Sequence, residues 1–394
     1  MDRKIKIIYL INTFLFGGAQ KMVLDLATYL DKNKFAVTVC SLRQDDLKTN
    51  KYYDAQRVAA QHGFDFVAMS DKRNTLVRIY DLFVFLRKVK PDIVHCHLPW
   101  SVILGVIAAR LAGIRQIIIH EHNTHKFYSF KVRWLTKILR KFVRLTICYS
   151  PEVEQEIFSR CNFFSSATEK LQYNSYTIFN GVDLEGAKII QAKIDLEAKR
   201  QSLGTDAGKT VVLSVARLLP WKGQANLIRA LAIALKEIKN LVLLIAGGGI
   251  EEPNLRQLAK DLGLNNDQVI FLGPRGDVPE ILAVIDIFSS VLSYPPDFSS
   301  ESIGLSTLEA MAFALPVIVG DYQGVEKIIQ DKVNGLVLAP NDKQQLAEAI
   351  IDLAKNLVWR QTLGNGARAL IAEKFSWSQI SLIYQNLYNL IAKN

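Results

Sequence analysis

The chain has 394 residues, of which 49% are hydrophobic, and carries a formal net charge of +10. Its length predicts two or three domains with sizeable cores, while no apolar run reaches the roughly 18 residues of a membrane-spanning helix. The charge is uneven: 27 Lys and Arg against 15 Asp and Glu lie in residues 1–180, a net of +12, and 21 against 23 in the remainder, a net of −2.

This asymmetry predicts two domains with different partners. All six histidines and all four cysteines fall in the first half. Cys40, Cys96, Cys148 and Cys161 show no CxxC spacing and read as reduced, mostly core residues of a cytoplasmic protein.

The first 14 residues are basic and then apolar, the outline of a signal peptide. Polar residues interrupt the apolar stretch, and Gly17-Gly18 follows where a cleavage site would need small residues. It is expected to be a first buried strand. Strands are then expected at Lys4–Ile11, Ala36–Ser41, Phe64–Ala68, Ile93–His97, Gln116–His120 and Leu145–Tyr149. Helices are expected over Gly18–Leu30, Tyr52–His62, Leu76–Lys88, Trp100–Leu111, Val132–Val143 and Pro151–Ser159. Alternation of this kind predicts a doubly wound parallel sheet. Gly17 and Gly18 sit in its first strand-to-helix turn. There they either make a tight turn or let a phosphate or sugar approach the backbone and the helix start.

Two histidine groups close strands: His95 and His97 in one, and His120, His122 and His125 around the end of another. His-x-His pairs can ligate metal, and Glu121 is near. No HExxH helix or second ligand pattern accompanies them, so the expectation is hydrogen-bonding histidines and no metal. Placement at strand ends favours substrate contact for His97 and His122. The stretch Lys126–Arg144 then mixes seven cations with aromatic and aliphatic residues. It suits an amphipathic helix on an anionic membrane surface, and equally a surface helix with a solvated basic face. No nucleic-acid motif accompanies the charge.

The turn Asn180-Gly181-Val182-Asp183 closes the first domain, expected over 1–185, and 186–208 reads as a polar helical connector. The second domain, expected over 209–375, repeats the alternation. Its strands are expected at Thr210–Val215, Leu241–Ala246, Val269–Leu272, Ile285–Ser290, Pro316–Val319 and Gly335–Leu338. Arg217 and Lys222 lie in its first strand-to-helix loop, where two cations beside a helix N-terminus suit a pyrophosphate. Gly247 ends the next strand, and Arg275 lies past the third. From Tyr294 to Ser302 a Pro- and Ser-rich loop leads into a helix starting near Gly304. Glu301 and Glu309 frame the amides of Ile303, Gly304 and Leu305. A bland alternative makes Glu301 a helix cap and Glu309 a solvated residue.

Glu301-x7-Glu309, with Gly304 between and Ala-Met-Ala after, resembles the signature of retaining glycosyltransferase family 4. Asn-Gly-Val-Asp, the Arg217-Leu…Lys222-Gly223 element and the glycines at 247–249 resemble that family in the same order. Ile303 stands where the family usually has Phe, and Ala216 where it has Gly. The resemblance implies the GT-B fold: two Rossmann-like, doubly wound α/β domains with an interdomain cleft. It implies transfer of a hexosyl-type sugar from a nucleotide-diphosphate sugar to a glycan or lipid-linked acceptor, with retention and without metal or other cofactor. It further implies that His122 lines the reaction centre, in a Thr-x-His-like pattern with His120 at the Thr position. Arg217 and Lys222 would neutralise the diphosphate. Glu301 and the amides of Ile303–Leu305 would hold the sugar, and Glu309 the ribose. Gly17, Gly18, Gly247 and Arg275 would complete the donor site, Arg275 in a segment that meets the base largely through its backbone. The helix over 376–394 would return to the first domain. The basic first half suits an acceptor on a lipid carrier or an anionic membrane, which fits cell-envelope polysaccharide assembly on the inner face of a plasma membrane. A nucleotide-sugar 2-epimerase and a non-catalytic partner subunit use the same fold, whereas a dehydrogenase is disfavoured because neither half carries G-x-G-x-x-G.

Overall fold

The computed structural model describes residues 3–14, 17–43, 54–69, 74–123, 128–166, 168–293, 303–322 and 324–393. The chain folds into two units, Met1–Gly181 with Trp377–Asn394, and Val182–Ser376.

The first unit is built on β1 (Ile5–Ile11), β2 (Phe35–Ser41), β3 (Asp65–Ala68), β4 (Ile93–His97), β5 (Ile117–Glu121), β6 (Leu145–Cys148) and β7 (Ser175–Thr177). They run in the order β3-β2-β1-β4-β5-β6-β7, and every pairing is parallel. The order reverses between β1 and β4, and that switch point is where open sheets of this type place ligands. Strands buried on both faces read as nearly continuous apolar runs, and Ile7 to Ile11 are all buried. On one face Ile8, Leu10 and Cys96 pack with the helices Thr75–Val89 and Pro99–Leu111. On the other, Ile7, Tyr9 and Ile11 share a core with Trp377, Tyr384 and Tyr388 of the last helix, Trp377–Ala392. That helix is pinned at its start, where Trp377 Nε1 donates to Asp25 Oδ2 at 3.1 Å and the indole stacks on Tyr29.

The second unit carries β8 (Thr210–Val215), β9 (Leu241–Ala246), β10 (Val269–Gly273), β11 (Ile287–Ser290), β12 (Val317–Gly320) and β13 (Leu336–Leu338). Their order is β10-β9-β8-β11-β12-β13, again parallel, with the reversal between β8 and β11. The segment expected as a connector, 186–208, falls within this unit. Of its helices, Leu184–Lys193 and Leu196–Ser202, the second docks through Arg200, which donates to Val284 O at 2.8 Å and to Asp286 Oδ2 at 3.0 Å. Among the described residues, no helix is long and apolar enough to cross a membrane. Cys40, Cys96 and Cys148 are buried and Cys161 half-buried, all as free thiols.

Candidate active site

At the switch point of the second unit, β8 leads into a loop that carries Arg217, exposed, and Lys222, half-buried in the 3-10 turn Pro220–Lys222. Gly223 then turns the chain into the helix Gln224–Ala234 with φ 79, and a Cβ there would stand 1.7 Å from the Val291 carbonyl oxygen. Only glycine fits so close an approach in that conformation. The loop lies against the end of β9: Leu218 N donates to Gly248 O at 3.0 Å. A Cβ on Gly247, whose φ is 139, would come within 1.9 Å of Ala216 O. The glycines after β9 therefore serve backbone apposition to the Arg217 loop.

The helix Leu305–Ala312 starts from Gly304, and no side chain among the described residues caps it. Ser306 Oγ donates to Val215 O at 3.0 Å, which ties the first helical turn to the end of β8. The positive end of this helix and the root of the Arg217 loop are thus neighbours. Ile303 is buried, Gly304 exposed, and Leu305 and Glu309 half-buried. Glu301 and the loop 294–302 lie outside the described residues.

Arg275 spends its guanidinium on a neighbour. Nε and Nη2 donate to the two Asp277 carboxylate oxygens at 2.7 and 2.5 Å, and Lys199 Nζ donates to Asp277 Oδ2 at 2.6 Å. Those hydrogen bonds, Arg275 first, hold the Asp277 carboxyl well below the usual carboxylate range.

In the first unit, β4 and β5 run parallel with His97 opposite His120. Alternate side chains share a face, so His95, His97, His120 and His122 form an array. His95, His97 and His120 are buried and His122, just past β5, is half-buried. Ring centroids are 4.2 Å apart for His95–His97 and for His120–His122. His97 Nδ1 lies 3.0 Å from His122 Nε2, and His95 Nδ1 lies 2.9 Å from Tyr388 Oη. Burial, then repulsion within the array, pushes His95, His97 and His120 well below the ordinary histidine range. Burial pushes His122 down to about 4 although the Glu121 carboxylate pulls upward. All four are neutral near pH 7, able to bond hydroxyls but unable to neutralise a diphosphate.

Glu121 points to the opposite face and pairs with Arg140 at 2.6 Å, both side chains nearly buried. Arg140 therefore turns away from the basic surface expected of its segment, because an unpaired buried Glu121 would be costly. The rest of that segment forms the helix Phe130–Leu139, which buries Thr136 and Leu139. Phe130 and Trp134 are 79% and 55% exposed among Lys131, Arg133 and Lys137, which are exposed as well. Lys126 lies outside the described residues.

Gly17 is extended, a conformation open to any residue, and a Cβ there would meet only the movable end of Gln20. Gly18 is exposed and opens the helix Gly18–Tyr29. One feature of this end of the sheet has no sequence signal: Leu98, between His97 and the helix Pro99–Leu111, has φ 74. A left-handed leucine is uncommon and strained, and such strain gathers at ligand sites. Asn12 steadies the junction, its Oδ1 accepting from Ser101 N at 2.6 Å.

Residues 16–185 match the family model described as Glycosyltransferase Family 4, and residues 195–370 match the one described as Glycosyl transferases group 1. The chain belongs to the glycosyltransferases. An uncharacterized glycosyltransferase of Methanocaldococcus jannaschii is 22% identical over 98% of both chains. The UDP-Gal:alpha-D-GlcNAc-diphosphoundecaprenol alpha-1,3-galactosyltransferase of Escherichia coli is 27% identical over 90% of this glycosyltransferase and 89% of its own length. Among solved structures, Anabaena HepE in complex with UDP and glucose superposes with a TM-score of 0.80 at 23% identity, covering 98% of this chain and 100% of that one. At that identity the likeness establishes the fold, the two-domain GT-B architecture.

Proposed function

We propose that this glycosyltransferase moves a hexosyl-type sugar from a nucleoside-diphosphate sugar to a glycan or lipid-linked acceptor, with retention at the anomeric carbon and no metal on the diphosphate. The bond from the anomeric carbon to the diphosphate breaks and one to the acceptor oxygen forms. One observation carries the reading: Ser306 holds an uncapped helix start against the root of the Arg217 loop. Helix amides, Arg217 and Lys222 together supply the positive field that a departing diphosphate needs, which is the work a metal ion would otherwise do. Glu309 would accept from the ribose hydroxyls, and Glu301 with the amides of Ile303–Leu305 would hold the sugar. The backbone around Gly247 and Arg275 would flank the nucleotide, and Gly17, Gly18 and the neutral His122 are the further residues proposed to contact the donor.

The likeness to HepE, which was solved with UDP and glucose, makes a UDP-hexose the first donor to test. The name of the Escherichia coli relative supports a lipid-diphosphate-linked acceptor. Phe130, Trp134 and the cations around them would then rest on an anionic membrane, on its cytoplasmic face.

A panel of nucleotide sugars tests the proposal by thermal shift and by product analysis. Stabilisation by one donor, an α-linked product from an α-linked donor and undiminished rates when Mg2+ and Mn2+ are omitted are expected. An inverted product would defeat the retention assignment, and no response to any nucleotide sugar would defeat the whole reading.

A further inference from the structure

The imidazole array contains more unpaired capacity than a hydrogen-bonding role explains. Nε2 of His95, Nε2 of His97 and both ring nitrogens of His120 are buried without a hydrogen-bond partner among the described residues. Buried polar groups are ordinarily satisfied, and several unsatisfied ones in contact call for a missing partner. The three rings also converge: one nitrogen from each of His95, His97 and His120 lies within 4.8 Å of the others.

The outer nitrogens are anchored. His95 Nδ1 meets Tyr388 Oη at 2.9 Å and His97 Nδ1 meets His122 Nε2 at 3.0 Å, which leaves Nε2 of each ring unpaired. A metal-bound histidine has this pattern: one nitrogen donates to an outer partner that fixes tautomer and ring plane, and the other keeps its lone pair. Tyr384 Oη is likewise buried and unpartnered among the described residues, on a ring whose centroid lies 6.4 Å from those of His95 and His120.

We propose that His95, His97 and His120 bind one divalent transition-metal ion of the Zn2+ class in the first unit, beneath its C-terminal helix. Imidazole nitrogens suit Zn2+, and tetrahedral binding at about 2.05 Å places ligands about 3.4 Å apart, so modest ring rotations close the site. Neutral imidazoles have no proton to displace before they ligate a metal ion. The ion is structural. It joins β4 and β5 and, through Tyr388, the last helix, and it fixes His97 as donor to His122. It takes no part in the diphosphate chemistry proposed for the second unit.

The untagged full chain, stripped with EDTA and desalted, is titrated with Zn2+ by calorimetry and with Co2+ by visible absorption. One equivalent, submicromolar affinity and the d–d bands of tetrahedral Co2+ are expected. His120→Ala and His95→Ala lower affinity by roughly 100-fold or more, Tyr388→Phe by about 10- to 100-fold, and His62→Ala, at an exposed position, leaves it unchanged. Weak, substoichiometric binding by the wild-type chain, or octahedral Co2+ bands, would overturn the site even if the variants failed to fold. Full affinity in a folded His120→Ala variant would overturn it too. Transfer activity measures a separate property, so these results stand whatever donor proves correct.

Discussion

Tyr388 Oη lies 2.9 Å from His95 Nδ1 and 3.0 Å from Tyr9 Oη, so the last helix meets β4 and β1 through buried polar contacts that span 293 and 379 residues of chain. Tyr388→Phe removes the hydroxyl and strands two buried groups. In metal-free protein a loss of about 1–3 kcal/mol is expected in urea unfolding of the first unit. A loss below about 0.5 kcal/mol would show the contact to be dispensable.

Acid should weaken the first unit early. The folded pKa values of His95, His97, His120 and His122 are depressed, so below the ordinary value near 6.5 the unfolded chain binds more protons than the folded one. Stability is complete above that pH and falls as pH drops. For His122 the fall continues to about 4, at up to about 1.4 kcal/mol per pH unit for each histidine that stays neutral in the fold. Asp277 in the second unit is depressed from a carboxylate value and costs stability only at stronger acid. Chemical denaturation of metal-free protein between pH 7.5 and 5, followed by a fluorescence probe in each unit, should show the first unit yielding first.

Glu309→Ala and Arg217→Ala should fail differently. Loss of ribose contacts weakens nucleoside-diphosphate binding about tenfold in calorimetry. Loss of the Arg217 charge lowers turnover by about 100-fold with a smaller change in affinity, because the charge matters most as the diphosphate leaves. Unchanged affinity in Glu309→Ala would remove the ribose assignment.

Gly247→Ala forces a Cβ to within 1.9 Å of the Ala216 oxygen at a φ of 139. A loss of about 2 kcal/mol or more is expected in the second unit, together with weaker nucleotide binding as the Arg217 loop shifts. Wild-type melting and binding would show that the loop yields freely.

Phe130→Ser with Trp134→Ser should cut partition onto anionic lipid vesicles about tenfold or more while leaving the melting temperature within a degree or two, since both rings are largely exposed. Equal cosedimentation of variant and wild type would place the membrane surface elsewhere.

Strands such as β8 and β9 were readable to the residue, because a strand buried on both faces is a short, largely apolar run with sharp ends. β7 was not. Ser175, Tyr176 and Thr177 carry little apolar signal, and the strand is defined by hydrogen bonds. Ser175 Oγ and Thr177 Oγ1 each donate to the buried Glu154 carboxylate at 2.8 Å. The charged residues around the candidate site were nameable in the same way, but their partners were not. Nothing local pairs Arg140 with Glu121, and the Arg275–Asp277–Lys199 group closes across 78 residues of chain.

Periodicity and turn residues are local properties, so the alternation of strand and helix, the division into two α/β halves and the order of the motifs all follow from the amino-acid order. Partner choice is not local. Four histidines became one stacked array because β4 and β5 align His97 with His120, and because a helix from the far end of the chain covers them. Whether an imidazole is charged, paired or ready for a metal depends on the dielectric and neighbours that this packing creates, and only the folded chain supplies them.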